Sequence, residues 1–274
     1  LAMGKGIAWQ AMHNNPVSNA FIVHDLKVIS ETAERLGKKA DADRYRRQME
    51  ATTEAYIRKF VSKKGIVAKD YQSAYIMALK FVLPEGELRE QVKKNFAANI
   101  RKNGLQTGFF ATEYLLPLLV EAGETELAYD ILLQEGCPGW MYQVKCGATT
   151  TWERWDALKP DGTVNEEKMA GSGDNMVSFN HYAFGSVGEF YYQYILGIKP
   201  QKPGFAELHF EPYPDRRLGG VSGSYLSRAG KIESSWKYEE DGCHISLNTP
   251  VKSEVVLPNG QRETVEEGTY QWLC

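Results

Sequence analysis

Cysteine is scarce in this sequence, and its few copies are not spaced for metal binding. The 274 residues contain Cys137, Cys146, Cys243 and Cys274, with no Cys-x-x-Cys pair. Closely spaced thiols are typical of structural zinc sites, so we expect neither a metal ion nor a cofactor. Cys137 and Cys146 could form a disulfide bond, although two reduced thiols agree with the sequence at least as well. The cysteines therefore do not determine the cellular compartment, and cytoplasmic, cell-envelope and secreted locations are all compatible with the sequence.

Long hydrophobic runs and a strong charge of either sign are also missing. No apolar stretch approaches the roughly 20 residues that a membrane-spanning helix requires. The net charge of −3 offers no basic surface for nucleic acid. The opening residues, Leu1-Ala2-Met3-Gly4-Lys5, resemble neither a signal peptide nor a natural start. We expect no nucleic-acid partner and no membrane partner, and the sequence does not indicate an oligomeric state.

The sequence does contain ample material for a folded core. Hydrophobic residues make up 43% and charged residues 24%, as in an ordinary globular protein. Aromatic residues reach 12%, which suits stacking on carbohydrate but equally suits a tyrosine-rich core. At this length the chain forms one large domain or two unequal ones.

The first two-thirds of the chain show the spacing of amphipathic helices. In the first of them, apolar residues recur every three or four positions, at Ile22, Leu26, Ile29, Ala33 and Leu36. Short turns between successive helices indicate antiparallel hairpins. Pro117 either kinks the fifth helix or marks its late start. The spacing predicts seven helices, over residues 17–36, 45–60, 72–83, 84–103, 115–122, 124–134 and 184–194.

The pattern changes after Gly197. Short runs of β-forming residues follow, separated by turn signals such as Asn259-Gly260. They predict a small antiparallel β-sandwich, with domains at 1–199 and 200–274. The predicted strands cover residues 206–210, 221–227, 231–238, 244–248, 254–257 and 270–273.

The helical part is too large for a four-helix bundle and has no solenoid repeat. A toroid of six helical hairpins accommodates it, but that architecture needs twelve helices, five more than are predicted here. We therefore expect an α + β multidomain chain, an incomplete six-hairpin α/α toroid followed by the sandwich. On this interpretation the sequence is the C-terminal portion of a longer protein.

The most unusual stretch is Gly147-Ala148-Thr149-Thr150-Thr151-Trp152-Glu153-Arg154-Trp155-Asp156. Two acids, one guanidinium and two indoles fall within its last five residues. Indole faces can cover the apolar side of a sugar ring while arginine and carboxylates bind its hydroxyls, so the stretch suggests a polyol pocket. In the alternative interpretation both indoles are core residues, and Glu153 and Arg154 form a structural ion pair.

This stretch and Ser178-Phe179-Asn180-His181-Tyr182-Ala183-Phe184-Gly185-Ser186-Val187-Gly188-Glu189 closely resemble motifs of the α-L-rhamnosidases of glycoside hydrolase family 78. The resemblance spans about residues 15–212. The predicted sandwich matches the family's C-terminal domain in position and strand content. Weaker matches lie at residues 33–37, 42–45, 72–75, 107–117, 138–140 and 197–205.

The resemblance implies an inverting hydrolase that releases terminal α-L-rhamnose from a rhamnose-containing glycoside or polysaccharide. Inversion uses two carboxyl groups about 6.5–9.5 Å apart, with a water between base and sugar. Glu153 stands at the position of the family's general base. His181 is implied near the ring hydroxyls or that water, and is expected to be catalytic as well. The expected substrate-binding residues are Trp140, Trp152, Arg154, Trp155, Asp156 and Asn180, with Arg154 also orienting Glu153.

The family's general acid lies in the N-terminal half of its toroid, upstream of this sequence. Glu113 and Asp25 are available carboxylates, but both fall on predicted helix surfaces. The opening Leu1-Ala2 resembles the end of a family Gly-Asp-Trp-Leu-Ala segment. We therefore expect the 274 residues alone to hydrolyse little or nothing, although the parent protein would.

The sequence is also compatible with two other functional classes of protein. One is a related hairpin-toroid hydrolase, such as a glucosidase, glucuronyl hydrolase or trehalase, which the residues around Trp152–Asp156 disfavour. The other is a carbohydrate-binding or scaffold protein without catalysis, favoured if the natural gene starts near Leu1. The segment between Asp156 and Ser178 is long enough to form a pocket rim, from which Asp174 and Asn175 could reach the pocket. The isolated histidines are expected on the surface or in the core: His13, His24, His209 and His244.

Overall fold

The computed structural model of the protein describes residues 15–166 and 177–274. Contacts between Cα atoms divide the chain into two compact units, Leu1–Phe184 and Gly185–Cys274, here called the helical unit and the strand unit. The domain boundary predicted from the sequence lies later, after residue 199. Some residues discussed above lie outside the described ranges, namely the opening residues 1–5, His13, Asp174 and Asn175.

Helices joined by short turns build the helical unit. A π-helical segment, Ala78–Val82, continues the third of them. Helices α1 to α6 confirm the first six predicted helices, and α7 was not predicted. In the described part of this unit the helices are α1 Pro16–Arg35, α2 Lys39–Phe60, α3 Gln72–Met77, α4 Glu87–Asn103, α5 Phe109–Glu121, α6 Thr125–Leu133 and α7 Trp140–Lys145.

Local sequence explains where α1 begins. The Asn15 side chain accepts hydrogen bonds from the backbone N–H groups of Val17 (2.9 Å) and Ser18 (3.2 Å). Pro16 occupies the first helical position, where its fixed φ is favourable and its missing N–H costs nothing. Gly37, with φ of 71°, follows the end of the helix as predicted.

Two expectations for the helices need correction. Pro117 does not mark a late start of α5, since that helix already begins at Phe109 and contains the proline. The predicted apolar face of α1 is only partly buried, because Ala33 is buried but Ile22 is 48% and Leu36 67% exposed. Helix α1 instead packs through small side chains, and Ala20 and Ala33 are buried.

The strand unit contains eight strands in two sheets. One sheet has the order β1-β2-β6-β7, and the other, here called the serine sheet, has the order β3-β4-β5-β8. Strands β1 and β7 were not predicted, and each is only three or four residues long. The strands are β1 Ile198–Pro200, β2 Leu208–Phe210, β3 Gly220–Ser227, β4 Gly230–Glu239, β5 Gly242–Thr249, β6 Ser253–Val256, β7 Arg262–Val265 and β8 Gly268–Leu273.

The sandwich is antiparallel except for one pair. Strand β2 pairs with β6 in parallel, with Leu208 opposite Ser253. The predicted antiparallel sandwich is therefore confirmed, with this one parallel pair as an exception. Strands β3 to β5 enter the other sheet, so the chain returns to β2 through a long crossover, and such a connection permits parallel pairing.

Trp236 on β4 anchors the strand unit. It is 1% exposed, and its indole N–H donates to the Ile195 carbonyl at 2.7 Å. That carbonyl belongs to a π-helical segment, Tyr191–Ile195, which continues the short helix α8, Val187–Phe190. The predicted seventh helix is thus present, with irregular ends. No helix within the described ranges has the length and apolar character needed to cross a membrane.

We expect Arg89→Ala to destabilise the helical unit strongly. Arg89 is 8% exposed, donates to the carbonyls of Leu79 and Leu83, and forms an ion pair with Glu121 at 3.5 Å. Removing the guanidinium leaves the buried Leu79 and Leu83 carbonyls without this donor, which costs about 1–3 kcal/mol for each group. Urea unfolding followed by intrinsic fluorescence measures the loss.

Arg46→Ala provides the control. Arg46 pairs with Glu34 at 2.8 Å on the surface, where both side chains are more than 40% exposed. Such a pair contributes at most about 1 kcal/mol. Equal losses in the two variants would contradict the role given to Arg89.

Candidate active site

The first motif segment, 147–156, and the part of the second that belongs to the helical unit, 178–184, lie side by side. His181 N–H donates to the Thr151 carbonyl at 2.8 Å, and the Thr151 hydroxyl donates to the His181 carbonyl at 2.6 Å. The Thr150 hydroxyl also donates to the carbonyl of Phe179. The bonded residues, 150–153 and 178–181, lie outside helices and strands, so no regular ladder of hydrogen bonds joins them and these individual bonds connect the two segments.

Glu153 is fixed by the same pairing. Its backbone N–H donates to the Ser178 carbonyl at 2.9 Å, and the Ser178 N–H donates to Glu153 Oε2 at 2.8 Å. The carboxylate is thus oriented by a neutral backbone donor on the opposite segment. The side chain is half-buried and keeps access to solvent.

Arg154 and Asp156 form a two-point ion pair. Arg154 Nε donates to Asp156 Oδ1 at 2.6 Å, and Nη2 donates to Oδ2 at 2.9 Å. The buried Asn165 side chain adds a third hydrogen bond to Oδ2, at 2.8 Å. The hydrogen bonds from Arg154 hold the pKa of Asp156 below its usual value, despite an opposing contribution from burial. The expectation that Arg154 orients Glu153 stays a prediction.

These acids open onto a cleft of about 670 Å³. Its walls are mostly apolar, and its charged groups come from loop residues 153–156. Four predicted site residues line it, Glu153, Arg154, Trp155 and Asp156. The other lining residues are Thr107, Gly108, Phe109, Phe110, Cys137, Pro138 and Phe184.

Stacked rings form the wall beside the acids. Trp155 lies parallel to Phe184, with ring centroids 3.8 Å apart, and meets Trp140 edge-on at 5.0 Å. Both indole N–H groups are used, Trp155 donating to the Thr107 carbonyl and Trp140 to the Phe184 carbonyl. Trp140 is 5% exposed and therefore supports the wall from behind.

His181 lies in a second stack. Its ring packs on Phe109 at 4.5 Å and on Tyr182 at 5.4 Å. The Ala183 N–H donates to His181 Nδ1 at 3.3 Å, so the neutral imidazole carries its proton on Nε2. The histidine is half-buried behind Phe109 and is not among the described residues that line the cleft.

Two predicted substrate-binding residues are placed differently from the expectation. Trp152 is 2% exposed and packs with Tyr142 and Ala157. In the described part of the chain it is a core residue beneath the loop, and its expected role as a stacking or wall residue at the substrate stays a prediction. Asn180 is exposed and, with its N–H on the Ser178 hydroxyl at 3.2 Å, shapes the second motif segment.

Sequence reasoning missed three residues that the geometry brings to the site. Phe109 lies in a segment that had been noted only for its resemblance. Ser178 acts through its backbone, and Asn165 has no motif around it. Their roles come from contacts between residues far apart in the chain, which a local pattern does not contain.

Few other groups in the described ranges suggest a metal or redox site. All four cysteines are free. Cys137 lines the cleft, where partial burial, followed by the Asp156 carboxylate, raises the pKa of its thiol. In the strand unit, three exposed residues place ligand atoms within 4.8 Å of one another, namely Glu239, Asp241 and His244. His244 already pairs with Asp241 at 2.7 Å, and the expectations of no metal and no cofactor stay predictions.

Helical hairpins followed by a β-sandwich place the chain in the helical-hairpin class of folds with a C-terminal β-domain. The family described as bacterial α-L-rhamnosidase 6 hairpin glycosidase domain matches residues 8–195. The bacterial α-L-rhamnosidase C-terminal domain matches residues 197–271. The chain belongs to the bacterial α-L-rhamnosidase family.

Curated proteins with similar sequences support this family assignment. The chain is 35% identical over 263 residues to an α-L-rhamnosidase of Alteromonas sp. (strain LOR), which covers 94% of this chain and 28% of the relative. It is 32% identical over 260 residues to an α-L-rhamnosidase of Streptomyces avermitilis, covering 93% of this chain and 24% of the relative. The chain thus spans about a quarter of these relatives' length.

Solved structures share the fold. The crystal structure of the native α-L-rhamnosidase from Aspergillus terreus superposes with a TM-score of 0.85 and 30% identity, over 94% of this chain and 30% of that one. The Streptomyces avermitilis α-L-rhamnosidase complexed with L-rhamnose gives a TM-score of 0.84 and 30% identity, over 93% and 26%. The predicted fold class is confirmed, apart from the parallel strand pair.

We expect Asp156→Asn to reduce stability at neutral pH and to have no effect in strong acid. The folded-state pKa of Asp156 lies below its unfolded value of about 3.9. Its ion pair therefore stabilises the fold above that value, and this contribution is lost as the pH falls through the folded pKa. Because the side chain is 45% exposed, screening limits the loss at pH 7 to about 1 kcal/mol.

Urea unfolding between pH 7 and pH 2 checks this expectation. Asp43→Asn serves as the control, because Asp43 meets Arg46 only at 3.4 Å on the surface. A difference between wild type and Asp156→Asn that persists undiminished at the lowest pH would contradict the assignment.

Proposed function

We propose that the longer protein to which this chain belongs hydrolyses terminal α-L-rhamnosides with inversion, and that Glu153 is the general base. The main support is the placement of the Glu153 carboxylate in a water-accessible cleft, held by the Ser178 N–H. Membership of the family and the likeness to a structure described as complexed with L-rhamnose support the sugar.

In the proposed step, Glu153 takes a proton from a water in the cleft as that water attacks the anomeric carbon. A bond forms between the water oxygen and this carbon, and the bond from the carbon to the leaving oxygen breaks. The leaving oxygen takes a proton from a general acid. Because Oε2 is engaged by the Ser178 N–H, Oε1 is the oxygen that receives the proton from water.

The cleft walls suit a deoxy sugar. Rhamnose carries a methyl group in place of the hydroxymethyl group of an ordinary hexose, and Phe109, Trp155 and Phe184 supply an apolar wall for that group and for the ring face. On the polar side, the Arg154–Asp156 pair offers donors and acceptors for the remaining hydroxyls. His181 acts behind Phe109, by fixing the Thr151 segment and the tilt of the Phe109 ring.

The general acid is proposed to come from outside these 274 residues. Asp25 is exposed on α1, and Glu113 is half-buried on α5; neither is among the described residues lining the cleft. Without an acid to protonate the leaving oxygen, the C–O bond breaks slowly. We therefore propose that this chain alone has little hydrolytic activity.

The test compares this chain with the full-length gene product on 4-nitrophenyl α-L-rhamnopyranoside. We expect the full-length protein to release nitrophenol and, by NMR, to yield the β-anomer first. Glu153→Gln in the full-length protein should lower kcat by about two to four orders of magnitude, with KM changed little. Glu90→Gln, on the surface of α4 beside Lys93, is the matched control.

Three results would contradict the proposal. Retained turnover in Glu153→Gln would remove the assigned base. Turnover by the 274 residues alone, at the full-length rate, would show that the acid lies within them. Rhamnose binding by the full-length protein without any turnover would favour a carbohydrate-binding protein instead.

A further inference from the structure

His209 on β2 lies between two carboxylates that belong to different parts of the sheet. Its Nε2 is 3.2 Å from Glu211 Oε2, just after β2, and its Nδ1 is 3.3 Å from Glu254 Oε2 on β6. The register places His209 directly opposite Glu254 in the parallel strand pair. The imidazole therefore joins β2 to β6 through side chains, in addition to the backbone ladder.

Both carboxylates act as hydrogen-bond acceptors in this arrangement. Lys199 on β1 donates to Glu211 Oε2 at 3.0 Å, and Gln201 Nε2 donates to Glu254 Oε2 at 3.2 Å. The hydrogen bond with His209, followed by that with Lys199, lowers the pKa of Glu211 to about 2, against the opposing effect of burial. The Glu254 side chain is 42% exposed, and a carboxyl group in contact with water is ionised at neutral pH.

Two ionised acceptors determine the charge of the imidazole ring. A neutral imidazole has one N–H donor and one bare nitrogen, whereas the imidazolium has two donors. In the neutral form, one ring nitrogen would turn its lone pair toward a carboxylate oxygen 3.2 or 3.3 Å away. Both hydrogen bonds of His209 therefore form only when the ring is protonated.

Lys199 faces His209 from the strand on the other side. The two residues are partners in the β1–β2 register. The Lys199 ammonium lies over the rings of Tyr194 and Tyr213, at 4.4 and 5.2 Å, and it pairs with Glu211. Tyr213 also hydrogen-bonds Glu211. The charge of Lys199 thus has partners of its own, although it opposes protonation of His209.

The balance of these groups favours the proton on His209. Arg262 on β7 lies 4.0 Å from Glu254 Oε1, the oxygen that does not face the ring. The hydrogen bond with Glu211, assisted by that with Glu254, raises the pKa of His209 above its ordinary value, against burial and Lys199. The stabilisation is therefore fully present below about pH 6.5 and is lost as the pH rises through the folded-state pKa.

The backbone pairing that the imidazole reinforces is short. Strand β2 has three residues and pairs with β6 over three positions. Parallel pairing is slightly less stable per residue than antiparallel pairing, and a two-stranded hairpin alone is marginally stable. The β6–β7 hairpin, paired over four positions, therefore depends on β2 and on the buried side chains of Val255 and Val265 for its place.

We propose that His209 is a proton-dependent clamp, which holds the β6–β7 hairpin on β2 while the ring is protonated and loosens it when the ring loses its proton. Mildly acidic solution would then tighten the strand unit, and alkaline solution would open this hairpin more often. The proposal does not depend on hydrolysis, because all the residues of the clamp belong to the strand unit and Glu153 belongs to the helical unit.

Amide hydrogen exchange of the 274-residue chain tests the proposal. Wild type and His209→Gln are compared at about pH 6 and about pH 9, on peptides that cover residues 253–265. At a given pH both proteins have the same intrinsic exchange rate, so the ratio of their rates reports opening of the hairpin. We expect the variant to exchange at least about threefold faster at the lower pH and to match wild type at the higher pH.

NMR observes the protonation of the ring directly. The His209 ring signal, identified by its absence from His209→Gln, should titrate with a midpoint above the ordinary value of about 6.5. Glu254→Gln removes one carboxylate with little change of shape and should lower that midpoint. If His209→Gln folds poorly, Glu254→Gln also serves for the exchange measurement.

His244→Gln is the matched control. His244 pairs with Asp241 at 2.7 Å within the β4–β5 turn of the serine sheet, so it does not connect separate strand pairs. Its exchange over residues 253–265 should match wild type at both pH values. A His209 midpoint below the ordinary value would overturn the proposal. So would a ratio of exchange rates that is the same at both pH values, or equal acceleration by His244→Gln and His209→Gln.

Discussion

The cleft depends on hydrogen bonds between two loop segments. Thr151 and His181 exchange a pair of bonds, and Glu153 and Ser178 exchange another. In a helix or sheet the regular ladder would supply such bonds, but here they occur between isolated residues. The carboxylate at the centre of the site is therefore positioned by a residue 25 places later in the chain.

The loop that carries Glu153 is anchored from below as well. Loops usually lie on the surface and move more than the elements they connect. Here Trp152 is buried with Ala157, and the Tyr142 hydroxyl donates to the Leu158 carbonyl at 2.8 Å. Burial of an indole and satisfaction of backbone groups stabilise one conformation. A site that must place an oxygen within a few tenths of an ångström needs this kind of support.

Much of the fold was predictable because its signals are local. The Asn15-Pro16 start of α1 and the alternation along β4 follow from neighbouring residues. The parallel pairing of β2 with β6 was not predictable, since it depends on where the chain returns after a crossover. The exposed Ile22 shows the same limit, because spacing identifies an apolar stripe but not what covers it.

The same limit applies to the site, where local features were predictable and packing between distant residues was not. Four clustered residues reach the cleft as expected, because adjacent positions on a short loop cannot lie far apart. The closeness of Trp152 and Trp155 in the sequence did not show which of the two indoles faces the cleft. Trp155 faces the cleft and Trp152 faces the core, a difference fixed by packing against Phe184 and Tyr142 respectively.

The amino-acid sequence alone does not show which charged groups of the site pair with one another. A carboxylate held by a guanidinium resists protonation, whereas a general base must accept a proton during the reaction. Two donors of the Arg154 guanidinium are committed to Asp156, and Asn165 reinforces that pair. Glu153 is oriented instead by a neutral N–H. In the proposed mechanism the two acids therefore have different roles, Asp156 holding Arg154 in the cleft and Glu153 keeping one oxygen for a water molecule.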